Sequence, residues 1–281
     1  MSTAVADPTS PLPEGADVRL VVVDMDGTLL DGEGRIPEDL WPLLDSMRER
    51  GVVFSPASGR QYATLARQFD RAREGMVFIA ENGSYVVRDE AEISSTTLAP
   101  DVVARLVRRG RDLTAQGHDL GMVVCGKRAA YVERTDRAFL DHVDPYYASL
   151  VELDDLDAVD DDVVKVAVFS FADPQEGTAP ALADFRETHQ VVVSGAHWVD
   201  VMHPRVDKGV AVRRLQEELG VSAEQTVAFG DYLNDLEMLD AAGLSFAMDN
   251  AHPEVLARAR YRAPSHLDHG VITTLRRLLG L

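Results

Sequence analysis

Two carboxylates one residue apart, Asp24 and Asp26, follow the apolar run Val21-Val22-Val23 and precede Gly27 and Thr28. A short Val-rich run that ends in polar residues and glycine reads as a strand buried on both faces of a parallel sheet. Such sheets bind ligands beyond the carboxyl ends of their strands. Residues i and i+2 of an extended segment project to one side, so both acids can serve one ligand while Gly27 lets the chain turn away. Asp-x-Asp-Gly alone is equally a capped strand end, and three later segments give it weight. Ser58 and Gly59 follow a second candidate strand, 52–57. Lys208 lies in Asp207-Lys208-Gly209, with Asp207 placed to cap a helix that stops at Gly220. The apolar run Thr226-Val227-Ala228-Phe229 ends in Gly230-Asp231-Tyr232-Leu233-Asn234-Asp235, a second acidic cluster at a strand end.

The chemistry these residue types can perform together is phosphoryl transfer from a small ester through an aspartyl-phosphate. A carboxylate can be the nucleophile, and a second carboxyl can protonate the leaving oxygen and later activate water, so Asp24 attacks and Asp26 moves protons. Clustered carboxylates repel one another and a phosphate dianion. The arrangement therefore calls for a hard divalent cation, and Mg²⁺ with oxygen ligands suits it. Asp231 is the leading further ligand, and Asn234 and Asp235 complete the metal site directly or through water. Positioned donors must meet charge on the transferring phosphoryl oxygens, a task that falls to Ser58, Gly59, Lys208 and Asn234.

In this order the segments Asp24-Met25-Asp26-Gly27-Thr28, Ser58-Gly59-Arg60, Lys208-Gly209 and Gly230-Asp231-Tyr232-Leu233-Asn234-Asp235 resemble the four motifs of the haloacid dehalogenase superfamily of phosphohydrolases. Glu81-Asn82-Gly83 and Ala247-Met248-Asp249-Asn250-Ala251 resemble its Cof-type (IIB) subfamily, which carries a C2B cap. The resemblance covers nearly the whole chain. It implies that Asp24 is the nucleophile, that Asp26 is the acid/base, and that Mg²⁺ is held by the Asp24 carboxylate, the Asp26 backbone carbonyl and Asp231. The second motif more often has Thr where this chain has Ser58; both supply a hydroxyl.

The elements that must position these groups follow from the spacing. One helix, from about 37 to 51, fills the short interval between the first acids and Ser58, with Pro42 as a candidate kink. The interval from Ser58 to Lys208 is domain-sized. Its pattern gives a helix at 100–116, strands at 120–124 and 130–133, a helix at 136–148, a strand at 163–171, a helix at 179–188, and strands at 191–193 and 198–202. Paired strands between helices indicate an α+β module with an antiparallel sheet. The expected architecture is α/β: a doubly wound, Rossmann-like core formed by 17–84 and 205–281, an inserted α+β C2B cap at 85–204, and a flexible tail at 1–16. The cap is expected to close over the core site and to set specificity.

With 281 residues and 46% hydrophobic content the chain can build two cores. A net charge of −19 argues against nucleic acid or an anionic membrane as a main partner. No stretch reads as a membrane span or a signal peptide. The acids between Glu152 and Asp162 lack the glycine and final glutamate of a calcium loop and read as a solvated loop. The histidines are too scattered for zinc, and the single cysteine, Cys125, reads as a packing residue on a strand. It cannot form an internal disulfide, which agrees with a reducing cytoplasm. The expectation is a cytoplasmic, Mg²⁺-dependent phosphatase of a small phosphorylated metabolite, a sugar phosphate or phosphorylated cofactor. A phosphotransferase or mutase, and a noncatalytic phospho-ligand sensor or scaffold, are the alternatives. The oligomeric state is not legible.

Overall fold

The computed structural model describes residues 15–194 and 196–281, so the expected tail at 1–16 lies almost wholly outside the described residues. Strands β1 (Leu20–Asp24), β2 (Val53–Ala57) and β3 (Val77–Ala80) run parallel and side by side, linked by helices α1 (Leu40–Glu49) and α2 (Tyr62–Gln68). Leu20 through Val23 are fully buried, which is why the run is uninterruptedly apolar and not alternating. Pro42 sits in the first turn of α1, where no backbone N–H is needed for the helical ladder.

After β3 the chain reverses through Glu81, Asn82 and Gly83, all at positive φ (49°, 56° and 96°). Strand β4 (Tyr85–Arg88) then returns antiparallel to β3, and β5 (Ala91–Ser95) lies at the edge of the same sheet. The reversal buries Val86 and Val87, so this compact unit extends to Ser94, past the boundary expected at Tyr85.

The second compact unit holds residues 95–206 together with 60–67. Its elements are α3 (Pro100–Ala115), β6 (Leu120–Gly126), β7 (Ala130–Val132), α4 (Arg137–Val143), β8 (Leu150–Glu152), β9 (Val163–Ser170), α5 (Thr178–Ala181), β10 (Gln190–Val193) and β11 (Trp198–Met202). They form a six-stranded sheet in the order β10-β11-β9-β6-β7-β8, antiparallel except for β7 against β8. The apolar face of α3, including Val103, Leu106 and Val107, packs with Val124, Val166 and Val201 of the sheet. Residues 60–67, expected in the core, group here because Gln61 exchanges two 3.0 Å hydrogen bonds with the Ser149 backbone, and the Thr64 hydroxyl donates to the Tyr146 carbonyl at 2.8 Å.

Two local expectations differ. The helix at 136–148 stops at Val143, since Pro145 has no N–H with which to extend the ladder, and the chain goes on into β8. The helix at 179–188 is reduced to α5 and a following tight turn. The acidic run is solvent-exposed as expected, apart from Asp161, and part of it is also paired: Asp155 and Asp157 meet Arg111 at 2.7 and 2.8 Å, and Asp161 accepts from the Tyr131 hydroxyl at 3.0 Å. Cys125 is buried on β6.

The remaining elements return to the first sheet: α6 (Lys208–Leu219), β12 (Thr226–Gly230), α7 (Leu236–Ala241), β13 (Leu244–Met248), α8 (Pro253–Arg258), β14 (Tyr261–Ala263) and α9 (Gly270–Leu279). The strand order is β14-β13-β12-β1-β2-β3-β4-β5. Winding proceeds outward from β1 in one direction and from β12 in the other, so the topological switch point lies between β1 and β12, where such folds bind ligands. The doubly wound core and inserted α+β unit expected from the sequence are therefore present. Among the described residues no helix is long and apolar enough to cross a membrane.

Helix α6 begins as its sequence indicates, with the Asp207 carboxylate accepting from Val210 N at 2.6 Å, and ends on Gly220 in the left-handed conformation. Gly209 sits against the Glu237 carbonyl of α7, leaving no room for a Cβ. Gly209→Ala should force the helices apart and lower stability by about 1–3 kcal/mol. Urea denaturation checks this, and an unchanged midpoint would show that the contact yields freely.

Candidate active site

Asp24 ends β1 with only 7% of its surface exposed, and the chain then turns through Asp26 (φ −82°, ψ 115°) and Gly27 (φ 82°). The turn leaves the Asp26 side chain exposed. Gly27 is required twice over, because its φ is left-handed and a Cβ there would collide with the Asp231 carboxylate. Across the switch point, β12 delivers Asp231, and the Thr28 hydroxyl donates to Asp231 Oδ1 at 2.8 Å. The two acidic strand ends are thus tied by a side chain that directly follows the first motif.

Lys208, the first residue of α6, has a fully buried side chain whose Nζ donates to Asp24 Oδ1 at 2.5 Å and to Asp235 Oδ1 at 2.8 Å. The other oxygen of Asp235 accepts from the backbone N–H groups of Asp231 and Tyr232, at 3.0 and 3.1 Å. Asp235 therefore holds both the lysine and the loop that carries Asp231. Gly230 permits this, since a Cβ there would lie 2.5 Å from that of Asp235.

Ser58 is buried at the end of β2, where its N–H donates to the Ile79 carbonyl and its carbonyl accepts from Asn82 N, both at 2.9 Å. Asn234 is exposed on the β12 loop and donates through Nδ2 to Asn82 Oδ1 at 3.3 Å. Asn250 donates to the Gly27 carbonyl at 2.8 Å and supports the Asp26 turn from behind.

Asp24, Asp231 and Asp235 each offer a carboxylate oxygen within 4.8 Å of the others. Three carboxylates and one ammonium leave two negative charges uncancelled in a largely buried space. Burial, and then repulsion from Asp235, raise Asp24 well above the usual carboxylate range against the pull of Lys208. Burial likewise lifts Asp231 to about 6, partly opposed by the Thr28 hydrogen bond. Burial pulls the Lys208 ammonium down, but attraction to Asp235 and Asp24 outweighs it and the net shift is upward. The ammonium therefore stays charged. An all-oxygen donor set with an excess of negative charge fits a hard divalent cation such as Mg²⁺.

All eight residues singled out in the sequence belong to the first unit. Asp24, Lys208, Asp231 and Asp235 form one contiguous cluster, whereas Asp26 and Asn234 are exposed. Thr28, Asn82 and Asn250 were not singled out as site residues. Thr28 was legible as the hydroxyl next to Gly27. Asn82 and Asn250 showed only as family marks, since their partners lie far away in the chain.

Residues 21–275 match a family model described as haloacid dehalogenase-like hydrolase. The chain is 32% identical over 269 residues to the 5-amino-6-(5-phospho-D-ribitylamino)uracil phosphatase YbjI of Escherichia coli K12, covering 93% of this chain and 96% of that protein. It is 29% identical to an HMP-PP phosphatase of Cronobacter sakazakii, covering 85% and 87%. A solved haloacid dehalogenase-like hydrolase from Bacteroides thetaiotaomicron superposes with a TM-score of 0.82 at 22% identity, covering 92% of this chain and 99% of that one, and so shares the fold.

In metal-free protein the raised value of Asp231 has a definite sign. The folded state holds its proton more tightly than the unfolded state, so this group's contribution to stability is full below the ordinary value of 3.8 and is lost as pH rises through about 6. Asp231→Asn cannot titrate. With chelator present, its melting temperature should gain on wild type between pH 4.5 and 7.5; a difference independent of pH would contradict the assignment.

Proposed function

The chain belongs to the haloacid dehalogenase-like hydrolase family, and on that premise we propose that it is a Mg²⁺-dependent phosphatase of a small phosphorylated metabolite, working through an aspartyl-phosphate. The observation that carries this reading is the buried Lys208 bridge between Asp24 and Asp235, with Asp231 beside it and Asp26 exposed two residues on. A nucleophilic carboxylate must be ionised to attack; a fixed ammonium at 2.5 Å pulls Asp24 that way against the burial that raises it, and a bound divalent cation would supply the rest.

In the proposed sequence an Asp24 oxygen attacks phosphorus while the bond to the leaving oxygen breaks, and Asp26 gives that oxygen its proton. Asp26, now ionised, takes a proton from water as the water attacks the same phosphorus; the Asp24–phosphorus bond breaks and inorganic phosphate leaves. The exposure of Asp26 suits a group that exchanges protons with leaving group and solvent in turn. Ser58, Gly59, Asn234 and the Lys208 ammonium are the donors read as facing the phosphoryl oxygens. Mg²⁺, held by Asp24, the Asp26 backbone carbonyl and Asp231, would offset the charge of the acids and of the phosphate. Asp235, whose oxygens already accept three donors, acts beside the metal as the anchor of Lys208.

The relatives carry phosphatase names for small phosphorylated compounds, which supports a sugar phosphate or a phosphorylated cofactor as substrate. The α+β unit is read as the cap that selects among them. A cytoplasmic setting completes the reading, supported by the single, buried cysteine.

Phosphate release from a panel of phosphorylated metabolites should require Mg²⁺, disappear with chelator, and be abolished by Asp24→Asn. Asp26→Asn should slow it by about 10²–10⁴-fold, the range expected for a lost proton-transfer group. Turnover at the wild-type rate in either variant would refute the role given to that residue.

A further inference from the structure

The turn at Glu81, Asn82 and Gly83 places three consecutive residues in the left-handed region, two of them not glycine. Such a run is unfavourable for L-residues and persists only where the surroundings hold it. Here the surroundings are three separate segments of the site. Asn82 N–H donates to the Ser58 carbonyl at 2.9 Å, and Asn82 Oδ1 accepts from Asn234 Nδ2 at 3.3 Å. A Cβ on Gly59 would lie 3.1 Å from Asn82 Nδ2, so the carboxamide also lies directly against the Ser58-Gly59 turn. Gly83 completes the junction, since its backbone approaches so closely that a Cβ would come within 2.6 Å of the carbonyl of Asp207, the residue that caps the helix of Lys208.

Each of these segments carries a donor that the proposed function directs at phosphate. We infer that the Asn82 carboxamide is a positioning residue of the phosphate site, fixing Asn234 and the Ser58-Gly59 turn relative to each other so that their donors converge on one anion. The inference rests on the phosphatase reading for the identity of that anion. Asparagine is the non-glycine residue best suited to the task, because it tolerates the left-handed conformation and carries both an acceptor and a donor on a short side chain.

The choice of substitution separates side chain from backbone. Asn82→Gly removes the carboxamide and relaxes the backbone, so the protein should melt no lower than wild type. Asn82→Ala removes the same group and adds left-handed strain. The readout is binding of inorganic phosphate to Mg²⁺-loaded protein by calorimetry, together with KM and kcat on the substrate found by the panel. Both variants should bind phosphate about tenfold more weakly, the order of loss expected when one neutral hydrogen bond that orients a phosphate donor is removed. KM should rise with them while the Mg²⁺ titration midpoint stays in place. Asn234→Ala should have a similar effect, and the double variant Asn82→Gly/Asn234→Ala should be no worse than either alone, since both remove one link.

If Asn82→Gly binds phosphate as wild type does and only Asn82→Ala is impaired, the turn matters through its backbone alone and the inference is overturned. Additive losses in the double variant would equally deny that Asn82 acts through Asn234. Wild type that binds phosphate but hydrolyses no metabolite would refute the phosphatase reading while leaving this comparison decisive. Wild type that binds no phosphate would overturn both.

Discussion

A buried ammonium between two carboxylates is the constraint to which the rest of the first unit is fitted. Lys208 is removed from water entirely, and Asp24 and Asp235 nearly so. Breaking such a cluster by removing one partner costs about 3–5 kcal/mol, because the charges left behind stay buried. The fold meets the demand by bringing three elements to one point. Strand β1 ends in Asp24, α6 starts at Lys208, and the loop after β12 presents Asp235 with its second oxygen occupied by two backbone donors. The glycines follow from the same crowding: Gly27, Gly209 and Gly230 each stand where a Cβ would strike a neighbouring group. Closeness of backbone is what lets the charges meet.

The charge balance of that point shows how a protein of net charge −19 could accept the anionic substrate proposed for it. Acids on the surface are spread out and screened within about 8–10 Å by salt. Many are paired locally, as in the Arg111 contacts with Glu133, Asp155 and Asp157. Within the site, Lys208 sets the local potential, and the surplus of acids would recruit a divalent ion. The upward shifts of Asp24 and Asp231 come first from burial, repulsion from Asp235 adds to them, and a bound cation would oppose both.

The parts of the structure that local sequence could carry were legible in it. The fully buried strands at 20–24 and 226–230 were written as unbroken apolar runs, the start of α6 as Asp207 and its stop as Gly220. Asp24, Asp26, Lys208 and Asp231 were visible because each stands at the end of such an element. What local pattern could not show was pairing at a distance. The β4–β5 return belongs to the first sheet because of a left-handed reversal at 81–83, whose strand pairing the sequence does not disclose. Residues 60–67 group with the second unit through Gln61 and Thr64, whose partners are more than eighty residues away. Asn82 and Asn250 escaped for the same reason. A carboxamide declares its role only when its acceptor is known.

If Asp24, held by Lys208, is the nucleophile, it becomes phosphorylated in each turnover. Rapid acid quenching during hydrolysis, followed by peptide mapping with mass spectrometry, tests it directly. A phosphoryl group is expected on the peptide that contains Asp24, localised to that residue, and absent from Asp24→Asn protein treated in the same way. Steady turnover with no phosphoryl group on that peptide at any quench time, or with the label on another residue, would contradict it.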